Sequence, residues 1–150
     1  MKGINQDFFD LEMYSIYRAI GELWGEKAWK VVWRSGEILF SELNNQLNLK
    51  KGKINEVLAA LTKYLEEVGY IEKIEIVFTK KDEIEYKMRN PSILKSAFRL
   101  IKENYVPPHI STSLIVAALN KLFNLNVEMI GSPIQDENGW TVERWKLIEK

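Results

Sequence analysis

In residues 69–91, GYIEKIEIVFTKKDEIEYKMRNP, the spacing of apolar residues changes from a helical period to a period of two, which indicates a fold of both helices and strands. Two apolar triplets flank the polar loop 79–83, and they are Ile74, Ile76 and Phe78, then Ile84, Tyr86 and Met88. A period of two places alternate side chains on one face of a strand. This stretch therefore predicts a β-hairpin in which each strand has one apolar face.

Upstream of the hairpin, apolar residues recur every three or four positions, which predicts helices. The first helix begins near Asp7, an acidic N-cap candidate, and a second helical segment covers 26–47. Gly36 either divides that segment into two helices or forms a notch for close packing within one helix. After the loop 48–53, a third helix begins at Ile54 and ends at Gly69, which is placed as its C-terminal cap.

Downstream of the hairpin, the sequence predicts two more helices. Asn90-Pro91 provides an N-cap and a first-turn proline for a fourth helix that continues to about Tyr105. Pro107-Pro108 ends it, and residues 111–123 form a fifth helix that is apolar around most of its circumference. A helix of that composition is expected to be buried.

A second hairpin is predicted from residues 127–134 and 140–148, with Asn138-Gly139 as its turn. The alternation slips between Val142 and Trp145, which suggests a β-bulge. The order of elements is therefore ααα-ββ-αα-ββ. We expect residues 1–150 to form a single α+β domain, with about five helices packed on an antiparallel four-stranded sheet made from two hairpins.

The overall composition excludes several classes of protein. The chain of 150 residues has 21 basic and 21 acidic side chains, so no net charge attracts it to nucleic acid or anionic membranes. It has no cysteine, which excludes disulfides, zinc–thiolate sites and cysteine nucleophiles. The longest apolar run, 114–119, is far shorter than the ~20 residues of a membrane span. With no apolar signal core near the N-terminus, we expect a soluble cytoplasmic protein.

His109 is the one side chain that could act as a general base near neutral pH. No cysteine, serine elbow or second histidine accompanies it, so the sequence contains no nucleophile–base–orienter triad. We interpret it as a helix-entry residue that hydrogen-bonds backbone. Neither a Gly-x-Gly-x-x-Gly nor a Walker pattern is present to hold phosphate. The sequence therefore predicts a protein that is not an enzyme, with no catalytic residue, no bound metal and no cofactor.

Aromatic residues are the candidates for a ligand pocket, since such pockets are mostly apolar with a few polar groups. Tryptophans and a phenylalanine recur at helical spacing in the second helical segment, and two more tryptophans lie on the last strand. Together with the histidine, the candidate pocket residues are Trp29, Trp33, Phe40, His109, Trp140 and Trp145. The alternative is that this stripe belongs to the core or to a dimer interface.

Five segments along the chain share features with one known family, and they are 17–26, 34–37, 58–70, 84–90 and 109–129. Together they resemble the 4-vinyl reductase-type domain, a relative of the small TRAPP-complex subunits and of heme-nitric-oxide-binding-like domains. The first helices of that family are marked by glycines, as in 17–26 here, and 34–37 is similar to its Ala-Gly element. Residues 58–70 resemble its helix that ends in glycine. Residues 84–90 resemble its strand that closes with Asn or Asp, and 109–129 its buried helix and following glutamate strand, here with Glu128.

The resemblance implies a homodimer whose helices and sheet enclose a pocket for a small apolar ligand, in the manner of a sensor or regulatory domain. Many members of the family carry cysteines in the strands after that glutamate and at the start of the buried helix, similar to a zinc or cofactor site. Here His109 occupies the helix start and the strands hold no cysteine. One histidine cannot provide the three or four ligands that zinc needs, so no metal site is expected.

A winged helix-turn-helix centred on residues 27–90 is the alternative function. In that interpretation 53–68 would be the recognition helix and 79–83 the wing tip. Charge argues against it, because 27–90 holds ten Lys and two Arg against nine Glu and one Asp, a net of +2. Of the residues that usually read bases, the helix presents only Asn55 and Thr62. Nucleic acid is therefore not the expected partner, although this alternative stays open.

Overall fold

The computed structural model describes residues 3–150, which form five α-helices and one five-stranded antiparallel sheet. The helices are α1 (Gln6–Trp24), α2 (Ala28–Leu47), α3 (Ile54–Glu67), α4 (Leu94–Lys102) and α5 (Ile110–Phe123), and a 3₁₀ turn, Gly25–Lys27, joins the first two. The strands are β1 (Lys73–Lys80), β2 (Glu83–Arg89), β3 (Leu125–Met129), β4 (Ile134–Gln135) and β5 (Thr141–Glu149). The predicted α+β class is confirmed.

The sheet has the order β1-β2-β5-β3, so the two hairpins join through β2 and β5. The fifth strand arises because the first strand of the second hairpin is interrupted, and its two parts, β3 and β4, both pair with β5. Gly131 at the interruption has a left-handed φ of 74°, and Pro133 has no N–H to donate. At these residues the chain leaves the sheet in a short loop, and its pairing with β5 resumes at β4.

Two helix starts differ from the sequence predictions. The cap of α1 is Asn5 rather than Asp7, and its side chain accepts a hydrogen bond from Phe8 N at 3.1 Å. The fourth helix begins at Leu94 rather than at Asn90-Pro91. Asn90 has a left-handed φ of 47°, and Ser92 donates both its N–H and its hydroxyl to the Tyr70 carbonyl. A turn therefore precedes α4, which also ends three residues before the predicted limit.

Gly36 is a packing notch within one continuous helix, which settles the choice left open by the sequence. A Cβ at this position would lie 2.3 Å from the carbonyl oxygen of Ser113 on α5. The absence of a side chain lets the α2 and α5 backbones approach each other directly. Gly69 caps α3 as expected, with a φ of 73° and a hydrogen bond from its N–H to Glu66 O.

Buried side chains form two clusters on either side of this close contact. The larger cluster lies between the sheet and helices α2, α3 and α5, and includes Leu61, Tyr86, Leu114 and Trp145. The smaller one joins α1, the start of α2 and α4 through residues such as Tyr17, Val32 and Leu100. Helix α5 is buried along most of its length, as its composition predicts. The space where the two clusters meet contains the candidate site.

The β-bulge expected between Val142 and Trp145 is wrong. Strand β5 pairs with β2 without a register shift, from Glu83 opposite Lys146 to Met88 opposite Thr141. The alternation seemed to slip because a charged residue, Glu143, occupies an inward position in phase with Trp145. The sheet is therefore regular here, and it places a carboxylate inside the protein.

Candidate functional site

The Glu143 carboxylate is the centre of the site, and the residue is only 3% exposed. Oε2 accepts hydrogen bonds from the Thr112 hydroxyl at 2.8 Å and from the Trp145 indole N–H at 3.0 Å. Oε1 lies 3.1 Å from Nδ1 of His109, which is also buried. A carboxylate buried in a protein is stabilised when its oxygens have hydrogen-bond partners, and Glu143 has three.

His109 is held by this carboxylate and by an aromatic stack. Its backbone is left-handed, with φ 46°, at the residue that precedes α5. The imidazole stacks on Trp29 with ring centroids 5.4 Å apart, and Trp29 stacks on Trp33 at 5.8 Å. The expected hydrogen bond from the imidazole to backbone is wrong, because Nδ1 faces Glu143 instead. Nε2 has no hydrogen-bond partner among residues 3–150 and is the nitrogen left for a ligand.

An open groove of about 670 Å³ lies beside this stack. Its walls are the start of α2 with Trp29 and Trp33, the segment 104–107, and the loop between β3 and β4. Ionisable side chains on these walls are confined to Glu26, Tyr105 and His109, and no Lys or Arg of the described chain lines the groove. The groove is therefore mainly apolar and aromatic, and its charges are acidic.

A second, smaller space of about 40 Å³, called the inner cavity below, adjoins the groove and also has His109 in its wall. Apolar residues of α4 such as Ala97 and Phe98 form one side of it. The other side is polar and consists of Tyr70, His109, Ser111, Thr112, Thr141 and Glu143. The groove and the inner cavity share a wall, which is made by Ile101, Pro107, His109 and Pro133.

Hydroxyl groups around the inner cavity are buried without a partner. The hydroxyls of Tyr70, Tyr86 and Thr141 have no hydrogen bond within the described part of the chain. Ser111 lies close to both tyrosines, but its own hydroxyl is directed to the Met88 sulfur at 3.6 Å. Burial is the main cause that raises the pKa of Tyr70 and Tyr86, and the Glu143 carboxylate raises it further. Such unsatisfied groups usually indicate a missing water or ligand.

The structure brings together three of the six predicted pocket residues, Trp29, Trp33 and His109, at the groove. Trp145 is fully buried and contributes to the site only through the hydrogen bond that its indole N–H donates to Glu143. Phe40 packs in the larger core cluster. Trp140 lies on the opposite side of β5, where the cationic groups of Lys87 and Arg89 contact its ring. The prediction of a ligand at these residues stays a prediction.

Sequence reasoning missed Glu143, Thr112, Thr141 and Tyr70. The sequence did contain one indication of Glu143. The apolar alternation in β5 is interrupted there because a carboxylate occupies an inward position. Across residues 3–150, no three His, Asp or Glu side chains converge as a metal site would require. No helix in the same range has the length and apolar character needed to cross a membrane.

The segment 27–90 does contain two helices and a hairpin, as the winged-helix alternative requires. Its apolar residues, however, share the larger core cluster with α5 and β5, and β2 pairs with β5 along six residues. Helix α3 buries Leu58 and Leu61 in that core and carries Glu56, Glu66 and Glu67 against Lys63. The segment is therefore part of the larger α+β core rather than a separate winged-helix unit.

Comparison with known proteins identifies the fold but no family. No protein family and no curated protein matches the sequence. A trafficking protein particle complex subunit 3 from Naegleria fowleri, covalently bound to palmitic acid, matches with 14% identity over 99% of this chain and 98% of its own, at a TM-score of 0.63. An H-NOX protein from a study of heme distortion matches with 13% identity over 100% of this chain and 74% of its own, at 0.56.

A Cs H-NOX mutant with 4-cyano-L-phenylalanine at site 5 matches with 15% identity over 98% of this chain and 74% of its own, again at a TM-score of 0.56. These likenesses show that the chain shares its fold with a TRAPP subunit and with H-NOX domains. At such identities they extend to the fold alone, because one fold carries many functions.

Proposed function

We propose that the protein is a cytoplasmic, non-catalytic domain that binds a small apolar molecule in the groove, as expected for a relative of the 4-vinyl reductase-type domain. The observation that carries this proposal is the stack of Trp33, Trp29 and His109 along the groove, fixed by the buried carboxylate of Glu143. Aromatic walls with few oriented polar groups are typical of small-molecule sites. We infer a sensor or regulatory role for such a domain.

The size and chemistry of the groove support a small ligand. Its volume of about 670 Å³ lies within the roughly 300–1,000 Å³ that such pockets usually have. The TRAPP subunit of the same fold is bound to palmitic acid, and the H-NOX study concerns heme. Both are large apolar molecules, and this fold is therefore a reasonable scaffold for another.

The hydrogen bonds around His109 support binding rather than catalysis. A carboxylate-oriented imidazole needs a nucleophile within hydrogen-bond reach to act as the base of a triad. The Thr112 hydroxyl is the candidate nearby, but it donates to Glu143 and not to the imidazole. The pair therefore acts, in this proposal, as a fixed polar wall of the pocket.

We also propose that the protein is a homodimer joined through the outer face of α1. Phe8, Leu11 and Leu23 on that face are 60%, 55% and 76% exposed. Ser15 and Ala19 lie between them, on the side of the helix opposite the buried Tyr14, Tyr17 and Gly21. An antiparallel pair of α1 helices centred on Ser15 would place Leu11 against Ala19 of the partner subunit. A self-complementary patch of this kind suits a two-fold interface.

Titration with the neutral fluorescent probe N-phenylnaphthylamine tests the pocket. We expect saturable binding that Trp29→Ala weakens by about tenfold, since it removes the ring on which His109 stacks. Trp24→Ala is the matched control, because Trp24 is more exposed than Trp29 and does not line the groove. Absence of saturable binding, or equal weakening by both variants, would count against a ligand pocket at the groove.

A further inference from the structure

We propose that the ligand of the groove carries a primary ammonium group, and that this group occupies the inner cavity. The inference rests on the proposed function, because it assigns the head group of the same ligand. It follows from three features of the inner cavity: a buried carboxylate with no Lys or Arg beside it, unpartnered acceptor atoms and a small volume.

No permanent cation of the chain lies beside the buried carboxylate of the inner cavity. Glu143 is paired with His109, and its other hydrogen-bond partners are the neutral groups of Thr112 and Trp145. No Lys or Arg of the described residues lines the inner cavity or the groove. Buried carboxylates are usually paired with a cation, because desolvation of an isolated charge is costly. A cationic ligand group would add a permanent positive charge to this site.

One basic side chain that contacts a groove residue is already engaged. The Arg18 guanidinium lies 5.7 Å from the centre of the Tyr105 ring. It forms ion pairs with Glu22 at 2.8 Å and Glu103 at 3.5 Å. An anionic ligand would meet Glu26 in the groove and Glu143 in the inner cavity, and no Lys or Arg of the described residues lines either space.

The acceptor atoms match an ammonium group. The Thr141 hydroxyl is buried without a partner, and Thr141 is only 5% exposed. The Tyr70 hydroxyl is buried beside Ser111. Each hydroxyl oxygen can accept a hydrogen bond, and so can the remaining lone pairs of the Glu143 carboxylate. An ammonium group has three donors for these three residues, whereas an alcohol has one. A carboxylate has none.

The volume sets a limit on the head group. A cavity of about 40 Å³ holds roughly three water-sized spheres, at ~10–15 Å³ for each. That space suits an ammonium nitrogen with one or two methylene carbons. The apolar remainder would lie against Trp29 in the groove, which shares His109 and Ile101 with the inner cavity. Aromatic faces near the entrance also attract a cation.

A series of ligands with one tail and three head groups tests the inference. Decylamine, decanol and decanoate, each below its micellar concentration at neutral pH, compete with N-phenylnaphthylamine for the full-length protein. We expect decylamine to bind about tenfold more tightly than decanol or better, and decanoate to bind most weakly. Equal affinities, or tighter binding of decanoate, would overturn the ammonium assignment and leave the proposed function intact. Failure of the probe itself to bind would instead overturn the proposed function.

Two variants locate the head group. Glu143→Gln keeps the shape of the side chain and removes its charge, so it should reduce the preference for decylamine over decanol to near unity. Glu85→Gln is the matched control, because Glu85 lies on the opposite face of the same sheet, and the preference should persist. Thr141→Val removes one unpartnered hydroxyl and should weaken decylamine binding even if Glu143→Gln does not fold. An unchanged preference in both site variants would contradict the assignment.

Discussion

At Gly36 a single missing side chain determines how closely two helices pack. The predicted contact of 2.3 Å between an added Cβ and the Ser113 carbonyl involves backbone, which cannot rotate away. We therefore expect Gly36→Ala to lower the free energy of unfolding by about 1–3 kcal/mol, despite the better helix propensity of alanine. Gly52→Ala is the control, since its nearest neighbours lie at 3.8 Å, and we expect a change within ~0.5 kcal/mol. Urea denaturation measures both, and equal effects would contradict the notch.

The Glu143 side chain stabilises the fold through its hydrogen bonds to three buried groups. Glu143→Ala leaves the Thr112 hydroxyl, the Trp145 indole and His109 without their shared acceptor. We expect a loss of about 3 kcal/mol or more in the free energy of unfolding, because each buried donor keeps its desolvation cost. Glu85→Ala on the other face of the sheet should change stability little. A similar small loss in both variants would show that the Glu143 network does not stabilise the fold.

Some residues of the candidate site were predictable from the sequence and others were not. Trp29, Trp33 and His109 were found as candidates because aromatic and titratable residues are visible in any sequence. The partner of His109 was missed because it lies on another element, 34 residues along the chain. A buried carboxylate looks, in sequence, like an error in strand alternation.

At the scale of elements, a cluster of charged side chains joins α1 to α4 and should make stability depend on acid pH. The Tyr14 hydroxyl donates to Glu103 Oε2 at 2.7 Å, and the Arg99 guanidinium bonds Oε1 at 3.2 Å while stacking on the Tyr14 ring. The hydrogen bond from Tyr14 is the main cause that lowers the pKa of Glu103, followed by Arg99 and Arg18.

A lowered pKa in the folded state gives stability that is present above the ordinary pKa of a glutamate and lost as the pH falls through the folded value. We expect Glu103→Gln to be less stable than the wild type at neutral pH and the difference to shrink on acidification. Tyr14→Phe should reduce this dependence on pH. Unfolding measured between neutral and acid pH tests the link, and a difference that stays constant would contradict it.

Element boundaries were predictable where the cap is local and less so where it depends on a distant residue. Gly69 was placed correctly because a glycine after a periodic apolar run is a local signal. The start of α4 was wrong because Ser92 bonds the Tyr70 carbonyl, and this contact shifts the helix beyond Asn90-Pro91. The hairpin of β1 and β2 was predictable from its period of two, but the predicted loop 79–83 was too long, because β1 continues to Lys80 and β2 begins at Glu83. The register shift between Phe78 and Lys80 was not predicted.

At the scale of the whole molecule, the outer face of α1 predicts a two-fold dimer. We expect Leu11→Glu to convert the proposed dimer to a monomer, because it places a charge opposite Ala19 of the partner subunit. Ile38→Glu is the control, since Ile38 is 50% exposed on α2 and lies outside the patch. Sedimentation analysis distinguishes the two, and a wild-type protein that sediments as a monomer would contradict the proposed interface.

The architecture was largely predictable at this scale, because order and class follow from the periods of successive segments. The groove was not, since it forms where α2, the segment 104–107 and the loop at Gly131 meet. None of these contacts is encoded by a local pattern.

A crystal structure determined after incubation with N-phenylnaphthylamine would show whether the groove beside Trp29 and His109 holds a ligand. We expect the probe between the Trp29 ring and the loop at Pro133, with the His109–Glu143 hydrogen bond kept. A probe bound on the outer face of α1, or a groove left empty at saturating probe, would contradict this expectation.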